Sequence, residues 1–306
     1  VREALVRRVD RLPPETTCFR WIDEELPGVT VDLFEDVAVL SLYRPARSDE
    51  EHELARALCA ARPLRAVYVK RRPREARQSV TVGEAVAPPR PLWGEPVESL
   101  TCREAGAAFE IRPGNGLSVG LYLDARDARA WVQRSARGKD VLNTFAYTCG
   151  FGLAALRGGA RRAANVDASR KVLDWGRRNL VLNGLGSERH DFLVGDVFDW
   201  LRRLAKQGQR FDLVILDPPG FATTKVSRFS AQKDYHRLVA AAAQVTREGG
   251  VLLAMCNVEA IGAVDFDAHL RRGLAARPHR IVDRFGASAV DFRQPSRLKC
   301  VALQLA

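Results

Sequence analysis

Three short apolar runs between residues 138 and 219, each ending on a small or acidic residue, constrain this chain more than any other feature. They are Val141 to Phe145, Ala163 to Val166 and Leu213 to Leu216, and segments of helical period separate them. That alternation reads as βαβ units of a parallel sheet. The expected fold is therefore α/β, with a doubly wound sheet. In such sheets ligands bind outside the carboxyl ends of the strands. Asn143 to Gly152, Asp167 and Asp217-Pro218-Pro219 fall at those ends, and the candidate site is read from them.

The first loop, Tyr147-Thr148-Cys149-Gly150-Phe151-Gly152, turns strand into helix. Its glycines either let the backbone approach a ligand at the helix N-terminus or only pack helix on sheet. Asp167 follows about twenty residues on, where a carboxylate can accept both hydroxyls of a ribose. A dinucleotide enzyme uses the same acid, so hydride transfer and methyl transfer both stay open here. Asp217-Pro218-Pro219, followed by Phe221, separates them. Two prolines without N–H groups make a stiff rim of outward carbonyls. Such a rim suits the edge of a planar heterocycle beside a methyl sulfonium and offers nothing obvious to a nicotinamide.

From about Cys102 onward the chain resembles the class I S-adenosylmethionine-dependent methyltransferases. More narrowly it is similar to bacterial large-subunit ribosomal RNA methyltransferases acting on cytosine C5 or guanine N7. The segments that carry the resemblance are GLSVGLYLDARDAR, VLNTFAYTCGFGLAAL, NVDASRKVLDWGRRNLVLNGL, GDVFDWL, FDLVILDPPGFATTK, EGGVLLAMCN and DFRQPSRLKC. It implies a seven-stranded Rossmann-like sheet holding S-adenosyl-L-methionine. The cofactor would lie across Asn143, Phe145, Tyr147, Thr148, Gly150 and Phe151, with Asp167 and Ser169 at its ribose. Asp196 would accept from the adenine amino group, or cap a helix, and Val197 or Phe198 would pack on the ring. Tyr122 and Arg126 correspond to a segment covering the cofactor. The family commonly has a glutamine where this chain has Ala125 and a lysine where it has Ser118. A base would be held against Asp217, Pro218, Pro219 and Phe221 and oriented by Asn257.

The target base turns on the end of the run Val251 to Asn257. Cytosine C5 transfer needs a thiolate on C6. In the cytosine branch that cysteine aligns with Asn257, whereas here Cys256 stands one position earlier, which on a strand is the opposite face. Guanine N7 has a free lone pair and needs only positioning. The sequence thus favours guanine N7 slightly, with Cys256 a buried apolar residue. His236 reads as a helix-face residue rather than a base.

The chain of 306 residues, 46% hydrophobic, is long enough for two domains. The expected division is a small α/β domain over 1–95 and the methyltransferase domain over 96–306. In the small domain, Arg2 to Leu12 reads as a basic helix, Val29 to Phe34 and Val37 to Tyr43 as strands, and Asp49 to Ala61 as a helix. A further strand, Ala66 to Val69, runs into the cationic cluster Lys70-Arg71-Arg72-Pro73-Arg74. With Tyr68 and Phe19-Arg20-Trp21 nearby, that cluster reads either as a solvated face or as a surface tracking RNA phosphates. Ala87 to Pro96 is the expected linker. DEELPGVTVDLFEDVAVLSLYR resembles the family's middle domain, so the chain is expected to begin there, without the small N-terminal RNA-binding module the family often carries. Past Phe221, Lys225, Arg228 and Lys233 are candidate phosphate contacts.

A formal charge of +11 favours a polyanionic partner, here RNA. Six scattered cysteines without a CxxC pair indicate a reducing cytoplasm and no structural zinc. No run suggests a membrane span or signal peptide. No metal is implied, and a homodimer is left open. The rival classes are a methyltransferase acting on a small molecule or protein, and a non-catalytic RNA-binding remnant.

Overall fold

The structure is a computed structural model, and it describes residues 1–72, 83–186, 190–223, 228–275, 277–294 and 297–306. Its chain forms two compact units, residues 1–123 with 288–293, and residues 124–287 with 294–306.

In the first unit a five-stranded sheet runs in the order β1 (Cys18–Leu26), β2 (Val29–Phe34), β3 (Val37–Leu42), β4 (Ala66–Arg71) and β5 (Trp93–Gly94). Helices α1 (Arg2–Val9) and α2 (Ser48–Ala61) accompany it. Residues of both helices share an apolar core with one face of the sheet, among them Ala4, Trp21, Val31, Leu40, Leu58 and Val67. β1 went unread in the sequence because a register shift between Arg20 and Ile22 breaks its period-two pattern. The expected linker is partly a strand: Leu92 N donates to Val67 O at 2.8 Å, and β5 closes the sheet on β4. The division also falls later than residue 95. The hairpin β6 (Leu100–Glu104) and β7 (Ala107–Ile111) belongs to the first unit, where Thr17 N donates to Arg103 O at 2.9 Å.

The described part of the cationic run, Lys70 to Arg72, does not form the open surface its composition suggests. Lys70 is fully buried, Arg71 pairs with Glu51 at 2.5 Å, and Arg72 donates to Ser41 Oγ and Leu117 O. Alternation along the strand sends Tyr68 and Lys70 to the same covered face. Phe19, Trp21 and Tyr68, read as aromatics beside a phosphate-tracking surface, are all buried. Arg74 and the rest of that cluster lie outside the described residues, as does Lys225.

The second unit holds seven strands in the order β10 (His190–Val194), β9 (Arg162–Asp167), β8 (Asp140–Thr144), β11 (Phe211–Leu216), β14 (Thr246–Cys256), β16 (Lys299–Leu305) and β15 (His279–Phe285). All are parallel except β16, which runs against β14 and β15. A small hairpin, β12 (Phe221–Thr223) with β13 (Arg228–Ser230), follows β11. Helices α3 (Arg126–Ser135), α4 (Gly150–Arg157) and α5 (Arg170–Leu182) pack in succession. Helices α6 (Val197–Lys206), α7 (Ala231–Ala243) and α8 (Ala263–Gly273) share a core with the sheet through Leu201, Leu238, Phe266, Val214 and Leu252. The sheet is doubly wound, as the spacing of the apolar runs predicts. Its strand order reverses between β8 and β11, which makes the carboxyl ends there the topological switch point.

Candidate active site

The loop after β8 is set by side chains rather than by glycine. Phe145, Tyr147 and Cys149 adopt left-handed φ values of 53°, 48° and 61°. That conformation is costly for residues with a Cβ and persists only where the surroundings fix it. Here Ala146 N donates to Val166 O at 2.9 Å, and Tyr147 N to Asp167 Oδ2 at 2.9 Å. Asn179 Nδ2, from α5, donates to Thr148 O at 3.0 Å. Gly150 and Gly152 lie inside α4, and neither has a positive φ. What Gly152 supplies is closeness: a Cβ there would fall 2.2 Å from Asn165 Oδ1 on β9. The same holds for Gly176 of α5, whose Cβ would meet Cys149 Sγ at 2.3 Å. Close helix packing, the plainer of the two sequence readings, thus accounts for Gly152.

Asp167 closes β9 with Oδ2 on Tyr147 N and Oδ1 on Ser169 N, both at 2.9 Å. Burial raises its pKa, against the backbone N–H groups that lower it. Each oxygen keeps a second lone pair, the chemistry a pair of ribose hydroxyls requires. Beneath it, Asn143 is fully buried and donates through Nδ2 to Asn165 Oδ1 at 2.9 Å, while its own Oδ1 has no partner among the described residues. Thr148 and Phe151 are buried, and Phe145 and Tyr147 half-buried. Phe145 packs toward Phe229 and Tyr147 toward Trp175. This arrangement of a two-oxygen acceptor above a helix N-terminus fits the expected cofactor.

Asp196 caps α6, its side chain accepting from Asp199 N at 3.2 Å. Val197 belongs to the core beneath, whereas Phe198 is half-buried and packs toward Phe229. Of the two residues expected against an adenine ring, Phe198 is the one with surface to offer.

Past β11, Asp217 is half-buried, Pro218 buried, and Pro219 and Phe221 exposed. Burial, reinforced by the carboxylate of Asp124 and opposed by Arg129, raises the Asp217 pKa to about 7. Asn257 stands exposed just beyond β14. Cys256, the last residue of that strand, is 2% exposed. Burial pushes its thiol up, and Asp217 adds to that effect. Arg126 opens α3 after the N-cap Ala125 and is 3% exposed. Tyr122 belongs to the first unit, where its hydroxyl meets Ser118 Oγ at 2.5 Å. His236 lies on α7 and stacks on His269.

Two polar residues that shape the site escaped the sequence reading. Asn179 is fully buried on α5, in phase with Leu173, Trp175 and Gly176. A polar residue at that core phase was the available signal. Arg129 sits one turn beyond Arg126, and its charge faces Asp217.

The comparisons agree with this geometry. The family described as S-adenosylmethionine-dependent methyltransferase matches residues 16–287. The ribosomal RNA large subunit methyltransferase I of Alteromonas mediterranea is 36% identical over 248 residues, covering 79% of this chain and 60% of its own length. That of Vibrio vulnificus is 33% identical, covering 94% of this chain and 74% of its own. The chain therefore spans only part of the length of these relatives. A crystal structure of a candidate methyltransferase complexed with SAH superposes with a TM-score of 0.87 at 25% identity, over 99% of this chain and 80% of that one. No helix among the described residues is long and apolar enough to cross a membrane, and none of the comparisons supports a homodimer. With its strand order, its carboxylates at the switch point and a family match from residue 16 to 287, the chain belongs to the S-adenosylmethionine-dependent methyltransferases.

Proposed function

We propose that this chain transfers the methyl group of S-adenosylmethionine to a base of large-subunit ribosomal RNA. The observation that carries the reading is the pair of carboxylates at the switch point: Asp167 ending β9, and Asp217 with its two prolines after β11. RNA as substrate is supported by the relatives named ribosomal RNA large subunit methyltransferase I. A net charge of +11 also suits a polyanion. Six free cysteines suit a reducing cytoplasm.

The bound cofactor supplies an electrophilic methyl group. Asp167 takes its ribose hydroxyls with the lone pairs that Tyr147 and Ser169 leave open. The target base, taken out of its stack, meets the rim of Asp217, Pro218, Pro219 and Phe221. As a carboxylate, Asp217 accepts a hydrogen bond from a base amino group. Asn257, with both a donor and an acceptor, fixes the orientation of the ring.

The preference for guanine N7 drawn from Asn257 finds no support among the relatives, and cytosine C5 is carried forward instead. The cysteine nearest the required position is Cys256, one residue early and 2% exposed, so its use as nucleophile requires the end of β14 to turn its side chain out; burial raises its thiol pKa in the ligand-free chain. The test incubates the purified chain with labelled S-adenosylmethionine and unmodified large-subunit ribosomal RNA, then identifies nucleosides by mass spectrometry. New 5-methylcytidine, lost in Cys256→Ser, is the expected result. New 7-methylguanosine would return the mechanism to direct attack. Cofactor binding without label in RNA would overturn the RNA reading in favour of a small molecule or protein.

A further inference from the structure

One cationic feature of the first unit has no part in the site above. Helix α1 and the strap 289–293 enclose a cleft of about 160 Å³. Arg7, Arg8, Arg11 and Arg293 line it, against the two carboxylates Glu25 and Asp291. Arg11, in the turn past α1, lies four residues after Arg7 and three after Arg8, spacings that share a helix face, and its N donates to Arg8 O at 3.0 Å. The strap belongs to the first unit although the chain on either side of it belongs to the second.

The carboxylates are already engaged. Glu25 takes Arg8 at 2.8 Å, Arg7 at 3.6 Å and the backbone N–H of Asp23 at 2.5 Å. Asp291 is fully buried and accepts from Arg20 N at 3.0 Å. Arg8 is 5% exposed, tied to Glu25 and to Ala4 O, so it forms a fixed floor. Arg11 and Arg293 are exposed and make no ion pair with any of the described residues. The cleft is thus a built cationic recess with two guanidinium groups to spare. It is large enough for a tetrahedral oxyanion and too small to bury a stack of nucleotides. Guanidinium forks match phosphate oxygens in geometry as well as charge.

We infer that this cleft holds a backbone phosphate of the RNA substrate, giving a sequence-independent anchor separate from the base-binding rim. The inference rests on RNA being the substrate. The geometry commits it to phosphate rather than to bases, because the one aromatic of the lining, Phe292, is half-buried with the Arg20 guanidinium over its ring, 4.7 Å from the centroid.

The test measures binding of a labelled single-stranded RNA without cofactor, over a series of salt concentrations, for the full chain and for the combined variant Arg7→Gln, Arg11→Gln, Arg293→Gln. The cleft holds one phosphate, and a lost phosphate contact lowers the slope of log K against log salt by about 0.7, so the slope should fall by about that much. At low salt the affinity should fall at least about tenfold. S-adenosylmethionine binding should not change, and the Arg→Lys triple should keep most of the slope. An unchanged slope would overturn the inference. So would an equal fall in an Arg202→Gln, Arg237→Gln control on the second unit. Inorganic phosphate that displaces the RNA at equal concentration would reassign the cleft to a free anion. Because the readout needs no turnover, intact RNA binding without methylation would count against the proposed function and leave the anchor standing.

Discussion

Asp217 is poised where small changes of pH alter its charge. Burial and the neighbouring Asp124 raise its pKa to about 7, with Arg129 pulling the other way. If the carboxylate is the working form, methyl transfer should rise with pH and level off above about 7, following a single ionisation. Asp217→Asn should flatten that profile and lower the rate by about a hundredfold or more. Stability should move the opposite way. A carboxyl whose native pKa is raised contributes stability below its unfolded pKa and loses it as pH rises through the native value. In mildly alkaline buffer the ligand-free Asp217→Asn chain should therefore be more stable, by about 1–3 kcal/mol after allowance for its half-burial. A variant that loses both activity and stability would show that Asp217 holds structure rather than substrate. The acid and its prolines were legible in the sequence because a strand end followed by Pro-Pro has few other readings. The left-handed turn at Phe145, Tyr147 and Cys149 was not, because tertiary hydrogen bonds to Val166 and Asp167 impose it on residues that do not favour it.

Strands and helices show the same division between local pattern and tertiary decision. The apolar runs at β8, β9 and β11 gave their positions within one or two residues, since strands buried on both faces are continuous apolar segments. In α5 apolar composition does not give the phase: Leu173 and Leu180 are core, whereas Val181 and Leu182 are 71% and 45% exposed. In β4 charge misled outright, because the lysine in the run points inward. Lys70 is fully buried with no hydrogen-bond partner among the described residues, and burial together with Arg72 lowers its pKa from 10.5 to about 8. Below about 8 the protonated amine carries its whole desolvation cost in the native state. Between about 8 and 10.5 the native chain has released that proton while the unfolded chain still holds it, so stability should rise with pH across the window. Lys70→Met should stabilise the neutral-pH protein by about 2–3 kcal/mol and abolish that rise. Equilibrium denaturation over a pH series reads both. A destabilised variant would mean that the amine has a partner in solution, such as a bound anion.

The two units have separate apolar cores, one built on Trp21, Leu40 and Leu58 and the other on Val214, Leu238 and Leu252. Separate cores are the physical basis for separate unfolding transitions, where a single melting temperature no longer describes the chain. The carboxylates of the switch point all belong to the second unit, whereas Lys70 and the arginine cleft belong to the first. A ligand that binds only the native state stabilises by about 2.7 kcal/mol at a hundred times its dissociation constant. S-adenosylhomocysteine, the demethylated cofactor, should therefore raise the second unit's calorimetric transition and leave the first in place. Lys70→Met should do the reverse, and Asp167→Ala should remove the ligand's effect without moving the first transition. One transition that responds to both the ligand and the substitution would show that the units unfold together, so that cofactor occupancy also sets the stability of the unit carrying the arginine cleft. Two independent responses would leave substrate anchoring and cofactor binding as separable properties of one chain, each open to alteration without loss of the other.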